Sequence, residues 1–301
     1  MNFVAKNHSK TCLIVSASII AVALLMTVFG FGLNLGIDFT GGILLRYEMG
    51  EPFSSDVVRD ALAEQGVAAA QIAMAGAART ELQARFQDTE NPDAMRAALE
   101  DRLRETYPAV SFISIGRVGA VAGQDLIRNA VLSVLVAWTL ILIYIAIRFD
   151  FFSGLAVVFG ILHDVLIMLS FMVFLRAFVQ INSTFIAALL TIVGLSINNT
   201  IVIFDRIREN NGKNSLASLS RDQIVSRSVQ ESLTRTINTT LTTLFALLAL
   251  YILGVDSIRE FMLPLIIGML SSIYCSNMIS GYVWVFLLDK RDQARLKAKK
   301  A

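Results

Sequence analysis

Two neighbouring amides, Asn198 and Asn199, lie in an apolar run that leads directly into the charged stretch Asp205-Arg-Ile-Arg-Glu-Asn210. His163 and Asp164 form a second polar pair, flanked by Ile161-Leu162 and Val165-Leu166-Ile167. Arg235, beside Thr236 and Asn238, stands at the edge of a third apolar run. Polar and ionisable groups in hydrocarbon cost free energy unless they face protein, water or one another, so such groups are candidates for ion passage. Asp164 and His163 can exchange protons, whereas an amide carbonyl can only ligate a cation or accept a hydrogen bond. A structural reading competes with each. The His163-Asp164 pair could hold helices together, and Arg235 could snorkel to the interface as a topology residue.

The surrounding composition makes these positions intramembrane. Of 301 residues, 55% are hydrophobic and 17% charged. Six apolar runs approach the ~20 residues needed to cross a bilayer: Cys12 to Leu33, Leu126 to Ile147, Phe151 to Leu175, Ile181 to Phe204, Ile237 to Leu253 and Phe261 to Leu288. The first is too long for the apolar region of a signal peptide and lacks a clean cleavage site, which predicts an uncleaved helix. Lys6 and Lys10 precede it, Arg148 sits in a tight link, and six bases from Arg206 to Arg235 separate the fourth and fifth runs. Lys290 to Lys300 form a basic tail. With six spans, all of these fall on one side, and the positive-inside rule makes that side the cytoplasm, with both termini inside. The net charge of +2 gives no reason to expect nucleic acid; the tail suits anionic lipid.

Four segments follow: 1–33, the N-terminus and first helix; 34–124, an external domain; 125–288, helices two to six; and 289–301, the tail. Within the external segment, Gly41 to Tyr47, Gln71 to Met74, Thr80 to Phe86 and Val110 to Ile115 read as strands. Ser54-Ser55-Asp56 and Asn91-Pro92 open two helices, to Gln65 and Glu105. The order β-α-β-β-α-β predicts a ferredoxin-like α+β domain. Cys12 and Cys275 both fall in predicted spans, so no disulfide framework or cysteine metal motif is expected, and neither His8 nor His163 has metal-motif spacing. Gly-x-Ser-x-Gly, His-Glu-x-x-His and paired Gly-x-Gly-Asp aspartates are all missing, which argues against an intramembrane hydrolase. No catalytic residue, metal or cofactor is expected. A stripe of small residues, Gly268, Ser272, Ser276 and Ser280, predicts close helix packing.

Gly36-Ile-Asp-Phe-Thr-Gly-Gly42 after the first span resembles the signature of the SecD/SecF family. So do His163-Asp-Val165, Phe204-Asp-Arg-Ile-Arg-Glu-Asn210 and Ser232-Leu-Thr-Arg-Thr-Ile-Asn-Thr239. One small external domain is similar to the SecF branch of that family. The resemblance implies a fold of six transmembrane helices of RND-like type and an accessory role in the Sec protein translocase, driven by the ion gradient in the bacterial cytoplasmic membrane. The partners it implies are SecD, the SecYEG translocon with SecA indirectly, YajC and YidC, and unfolded preprotein clients. An RND-type exporter of small molecules or lipids is the alternative, although that class has about twice as many spans per chain. Gly36, Asp38, Thr40, Gly41, Gly42, Asp205 and Arg206 are motif residues, with Asp38 and Thr40 expected to order the junction between domain and helix. Arg235 is implied to take part in ion coupling. At Asn199 the family pattern carries an aspartate. Three explanations stand: the coupling acid lies on SecD alone, Asp164 substitutes for it, or Asn199 is an engineered mimic of the protonated acid. Asp164, Asn198, Asn199 and Arg235 are expected to converge on one polar cluster.

Overall fold

The computed structural model describes residues 6–67, 70–75, 80–87 and 91–300. Its external part is a four-stranded antiparallel sheet in the order β2-β3-β1-β4, from β1 (Gly42–Glu48), β2 (Gln71–Ala75), β3 (Glu81–Phe86) and β4 (Ser111–Val118). Each outer strand pairs with an inner one because the helices connect strands that are not neighbours, which is the ferredoxin-like topology expected. Alternation decides the buried face. Ile43, Leu45 and Tyr47 on β1 and Leu82, Ala84 and Phe86 on β3 are buried against one layer of helices. That layer consists of two helices (α3, Ser55–Glu64; α4, Pro92–Thr106), which contribute Val58, Ala61 and Leu62, and Met95, Leu99 and Leu103. Ser54 caps the first of them by accepting from the Asp56 amide, and Asn91, just before Pro92, caps the second by accepting from the Ala94 amide.

Among the described residues, six helical segments are long and apolar enough to cross a membrane. They comprise α1 (Lys6–Val28), α5 (Ala120–Arg148), α6 (Phe151–Phe174), α7 (Thr184–Asn211), α8 (Arg221–Leu253) and a final rod of α9 (Asp256–Cys275) and α10 (Gly281–Lys300), joined through a π-helical turn, Ser276–Ser280. The α6 segment is the core of the bundle. Val157, Ile161, Val165 and Met168 pack there against Val193, Ile203 and Phe204 of α7 and against the α9 side of the rod. By contrast, α1 and α5 present Leu24, Leu25, Val28, Leu135, Leu140 and Ile147 outward. Apolar faces of that extent belong against lipid or partner helices.

The structure lengthens several spans relative to the sequence. The α8 segment begins at Arg221 rather than Ile237, because Ser220 and Gln223 form a capping box and the charges of the extra turns are paired, Arg227 with Glu231 and Arg221 with Asp289 and Asp292 of α10. The rod runs helically through Lys300, so residues 289–300 of the basic tail continue α10. The α5 segment starts at Ala120, slightly before the expected domain end.

The Gly36–Gly42 signature forms one helical turn, Ile37–Thr40 (α2), followed by Gly41 at φ 79°. This turn is pinned to the loop before α7. The Gly36 amide donates to the Ile181 carbonyl (2.9 Å), and the Ile181 amide donates to the Asn34 carbonyl (2.7 Å). Asp38 Oδ2 accepts from both the amide and the hydroxyl of Ser183, at 2.9 and 2.6 Å. An acid from a distant segment therefore caps α7 at its positive dipole end. Thr40 does not cross the junction; its hydroxyl donates to the Gly36 and Gly41 carbonyls. Gly36 allows the close approach, since a Cβ there would stand 1.9 Å from Asn182 Oδ1. Gly36→Ala is therefore expected to destabilise the junction by about 1–3 kcal/mol, the range for overpacking. Thermal unfolding of the purified protein should show the loss, and Asn182→Ala should restore part of it.

Candidate functional site

Asp164 lies in the middle of α6, 1% exposed. Its Oδ2 accepts from Ser196 Oγ of α7 at 2.6 Å. Its Oδ1 accepts from Ser271 Oγ of α9 at 2.8 Å and stands 3.1 Å from His163 Nδ1. Partners from three helices, two of them hydroxyl donors, thus converge on one carboxyl group, supplying the hydrogen bonds without which a buried acid would be costly. No arginine or lysine among the described residues contacts it. Adjacent to this group, Asn199 is buried and donates from Nδ2 to Ser272 Oγ at 3.1 Å. Ser271 and Ser272 are neighbours on α9, and Ser196 and Asn199 lie about one turn apart on α7. Asp164 and Asn199 therefore share one polar seam through the α6–α7–α9 contact.

The remaining expected members separate from this seam. Asn198 is exposed, because consecutive helical residues point about 100° apart and Asn199 takes the inward direction. Arg235 is exposed on α8, whereas Ser232, Thr236 and Thr240 form the buried face of that helix. The structure thus unites Asp164, His163 and Asn199 within this chain and leaves Asn198 and Arg235 on outward faces. Sequence reasoning did not identify Ser196, Ser271 or Ser272 as partners. Their only signal was the recurrence of small hydroxyl residues in otherwise apolar helices.

An apolar crevice of about 340 Å³ between α1, α6 and α9 is lined by Val15, Ile19, Ile167, Phe171 and Tyr274, and it reaches Ser271. Ser271, whose hydroxyl bonds Asp164, is thus also a residue of the crevice wall.

Two charged junctions frame the seam. At the end of α7, Asp205 accepts from Arg148 at 2.9 and 3.0 Å, joining α5 to α7. Arg206 donates to Glu231 of α8 and to Glu209, both at 2.6 Å. Asn210 reaches Ser228 at 3.0 Å and Glu231 at 2.8 Å. At the opposite end, Glu260 near the start of α9 accepts from Gln71 of β2 (2.9 Å), Arg85 of β3 (3.2 Å) and Asn182 before α7 (2.7 Å). Gln71 and Arg85 are opposite each other in the β2–β3 ladder, so the open sheet face rests on the helix ends through this acid.

The chain matches known families over most of its length. Residues 98–290 match the family described as protein export membrane protein SecD/SecF, C-terminal, and residues 28–52 match the SecD/SecF GG motif. The protein translocase subunit SecF of Acidaminococcus fermentans is 33% identical over 294 residues, covering 94% of this chain and 96% of that one. The protein translocase subunit SecDF of Bacillus subtilis is 32% identical over 89% of this chain, which spans 36% of that longer protein. A crystal structure of SecDF, a translocon-associated membrane protein from Thermus thermophilus, superposes with a TM-score of 0.77 at 33% identity, over 94% of this chain and 38% of that one. Six long apolar helices around the polar seam, one ferredoxin-like domain and full-length similarity to SecF proteins place this multi-pass membrane protein in the SecD/SecF family, on its SecF side.

Proposed function

We propose that this chain serves as the SecF subunit of a protein translocase, standing beside SecD and using the ion gradient to promote export of unfolded preproteins. Full-length similarity to SecF proteins supports the subunit assignment, and the longer SecDF relatives support SecD as its neighbour. The observation that carries the coupling reading is Asp164, a carboxyl group buried among membrane helices and bonded from α6, α7 and α9. Protonation or cation binding there would change the bonding of three helices at once. The outward faces of α1 and α5 offer apolar surface to SecD and lipid, and β4 is paired on one side only. Asn198 and Arg235, exposed within this chain, are then available to groups of the partner subunit. The charge placement supports both termini in the cytoplasm of a bacterial cell and the sheet domain outside. SecYEG, with SecA acting from the cytoplasm, would supply the client chain, and YajC and YidC would be further neighbours.

The test is reconstitution. Vesicles carrying the translocon and SecD are prepared with and without this chain, and preprotein release is followed with and without an uncoupler. Release that requires both the chain and the gradient is expected. Release that needs the chain but ignores the uncoupler would remove the coupling role while retaining the subunit role. Failure to co-purify with SecD in mild detergent would remove both.

A further inference from the structure

Three side chains with metal-ligand chemistry meet inside the bundle although no sequence spacing announces them. His163 and Asp164 are consecutive on α6, and Cys275 is the last residue of α9. One ligand atom from each lies within 4.8 Å of the other two. All three are buried, at 5%, 1% and 1% exposure. Gly160, about one turn before Asp164, makes the approach possible: a Cβ there would stand 2.9 Å from Ser280 Oγ and 3.7 Å from Cys275 Sγ.

These ligands have unused bonding capacity. His163 Nε2 is enclosed and has no hydrogen-bond partner among the described residues. The Cys275 sulfur makes long contacts, 3.8 Å to the Gly160 carbonyl and 3.7 Å to Ser280 Oγ, and also faces Asp164. Asp164, in turn, is held by Ser196 and Ser271, the kind of outer support that orients a metal-binding carboxylate.

We propose that His163, Asp164 and Cys275 form a binding site for a thiophilic divalent cation of the zinc type. Thiolate, imidazole and carboxylate together suit such an ion, whereas calcium and magnesium prefer sites built of oxygen. Ligands about 2.0–2.3 Å from a tetrahedral ion stand about 3.3–3.8 Å apart, so the side chains must close by roughly 1 Å. Capture displaces one proton from the thiol: Cys275–SH and M²⁺ give Cys275–S–M⁺ and H⁺. With three protein ligands, one coordination position remains for water or a nearby hydroxyl. The bound ion pins α6 to the start of the π-helical turn and occupies the Asp164 carboxylate. Inhibition of export by such an ion follows only if Asp164 is the coupling acid, whereas binding does not depend on that reading.

Cadmium is the probe, because a cadmium–thiolate bond gives an ultraviolet charge-transfer band. The full chain, purified with SecD under reducing conditions, is titrated with cadmium and then competed with zinc. Controls with SecD alone subtract any cysteines of the partner. The expected result is a saturable band of one cadmium per chain that zinc removes, persists in Cys12→Ser and is lost in Cys275→Ser. His163→Gln and Asp164→Asn should each weaken binding by at least about 10-fold, the minimum seen even for outer-sphere losses. Cys275→Ser keeps the size of the side chain, so its folding is checked by SecD association. A band that follows Cys12, or no band in the assembled wild-type complex, overturns the site. A band with the expected residue dependence but no effect on gradient-driven release keeps the site and removes the coupling reading of Asp164.

Discussion

Asp164→Asn is expected to reduce gradient-dependent preprotein release at least about 10-fold, which corresponds to roughly 1.4 kcal/mol of barrier. The substitution keeps the shape of the side chain but removes the titratable oxygen. It also replaces one acceptor by a donor, so one of the oxygens, such as that to which Ser196 donates, no longer accepts and that hydroxyl must find another acceptor. An unsatisfied buried group costs about 1–3 kcal/mol, so some thermal destabilisation should accompany the loss of activity. Asn199→Asp separates the remaining explanations. If coupling belongs to the partner, a second acid in the seam should add ion-dependent release while Asp164→Asn changes stability alone. Equal release from wild type, Asp164→Asn and Asn199→Asp, in complexes shown to contain SecD, would mean that the seam carries no ion.

Glu260→Ala should loosen the sheet domain from the membrane helices by roughly 3 kcal/mol, the lower end for breaking a mostly buried ion pair. Side-chain exposures of 16% for Arg85 and 13% for Glu260 mean that solvent would compensate little for the lost partner. Gln71 and Asn182 lose their acceptor in the same step. A double-mutant cycle with Arg85→Ala, read by thermal unfolding and by protease nicking of the external domain, isolates the pair. The coupling energy should exceed about 1 kcal/mol, whereas additive effects would show that domain attachment rests on the Gly36–Ile181 backbone contacts instead.

The fold was legible where one period dominates. Leu82, Ala84 and Phe86 alternate, and they are buried as that alternation requires. The charged half of α8 was not legible, since apolar periodicity passes over turns whose charges pair within the helix and with α7 and α10. The site was legible one residue at a time. An aspartate among Ile161, Val165 and Ile167 draws notice because charge in hydrocarbon is expensive. Its partners stayed hidden, because helical serines often bond their own backbone, as Ser170 does with the Leu166 carbonyl. Adjacent amides were equally ambiguous, since only the orientation of α7 decides which one turns inward. Glu260 resembled an ordinary acid near a helix start, and its role as a tie to β2 and β3 exists only in three dimensions.

The π-helical turn at Ser276–Ser280 sets the angular phase of everything that follows it. A π turn holds one residue more than the α-helix would use over the same rise, and each helical residue advances about 100°. Carbonyls disturbed by the wide turn are met by side chains, with Ser276 donating to the Ser272 carbonyl and Asn277 to that of Ile273. Removal of any one residue from the turn would therefore restore a regular helix with α10 in its present phase, whereas rewinding the turn as α-helix with every residue kept would rotate α10 by about a quarter of a revolution. Trp284, Val285 and Leu288 would swing out of the core they share with Val225 and Val229. Asp289 and Asp292 would turn away from Arg221, which they meet at 3.1 and 2.6 Å. The wide turn thus fixes the inward side of the last helix, and a one-residue alignment gap placed here leaves that side unchanged.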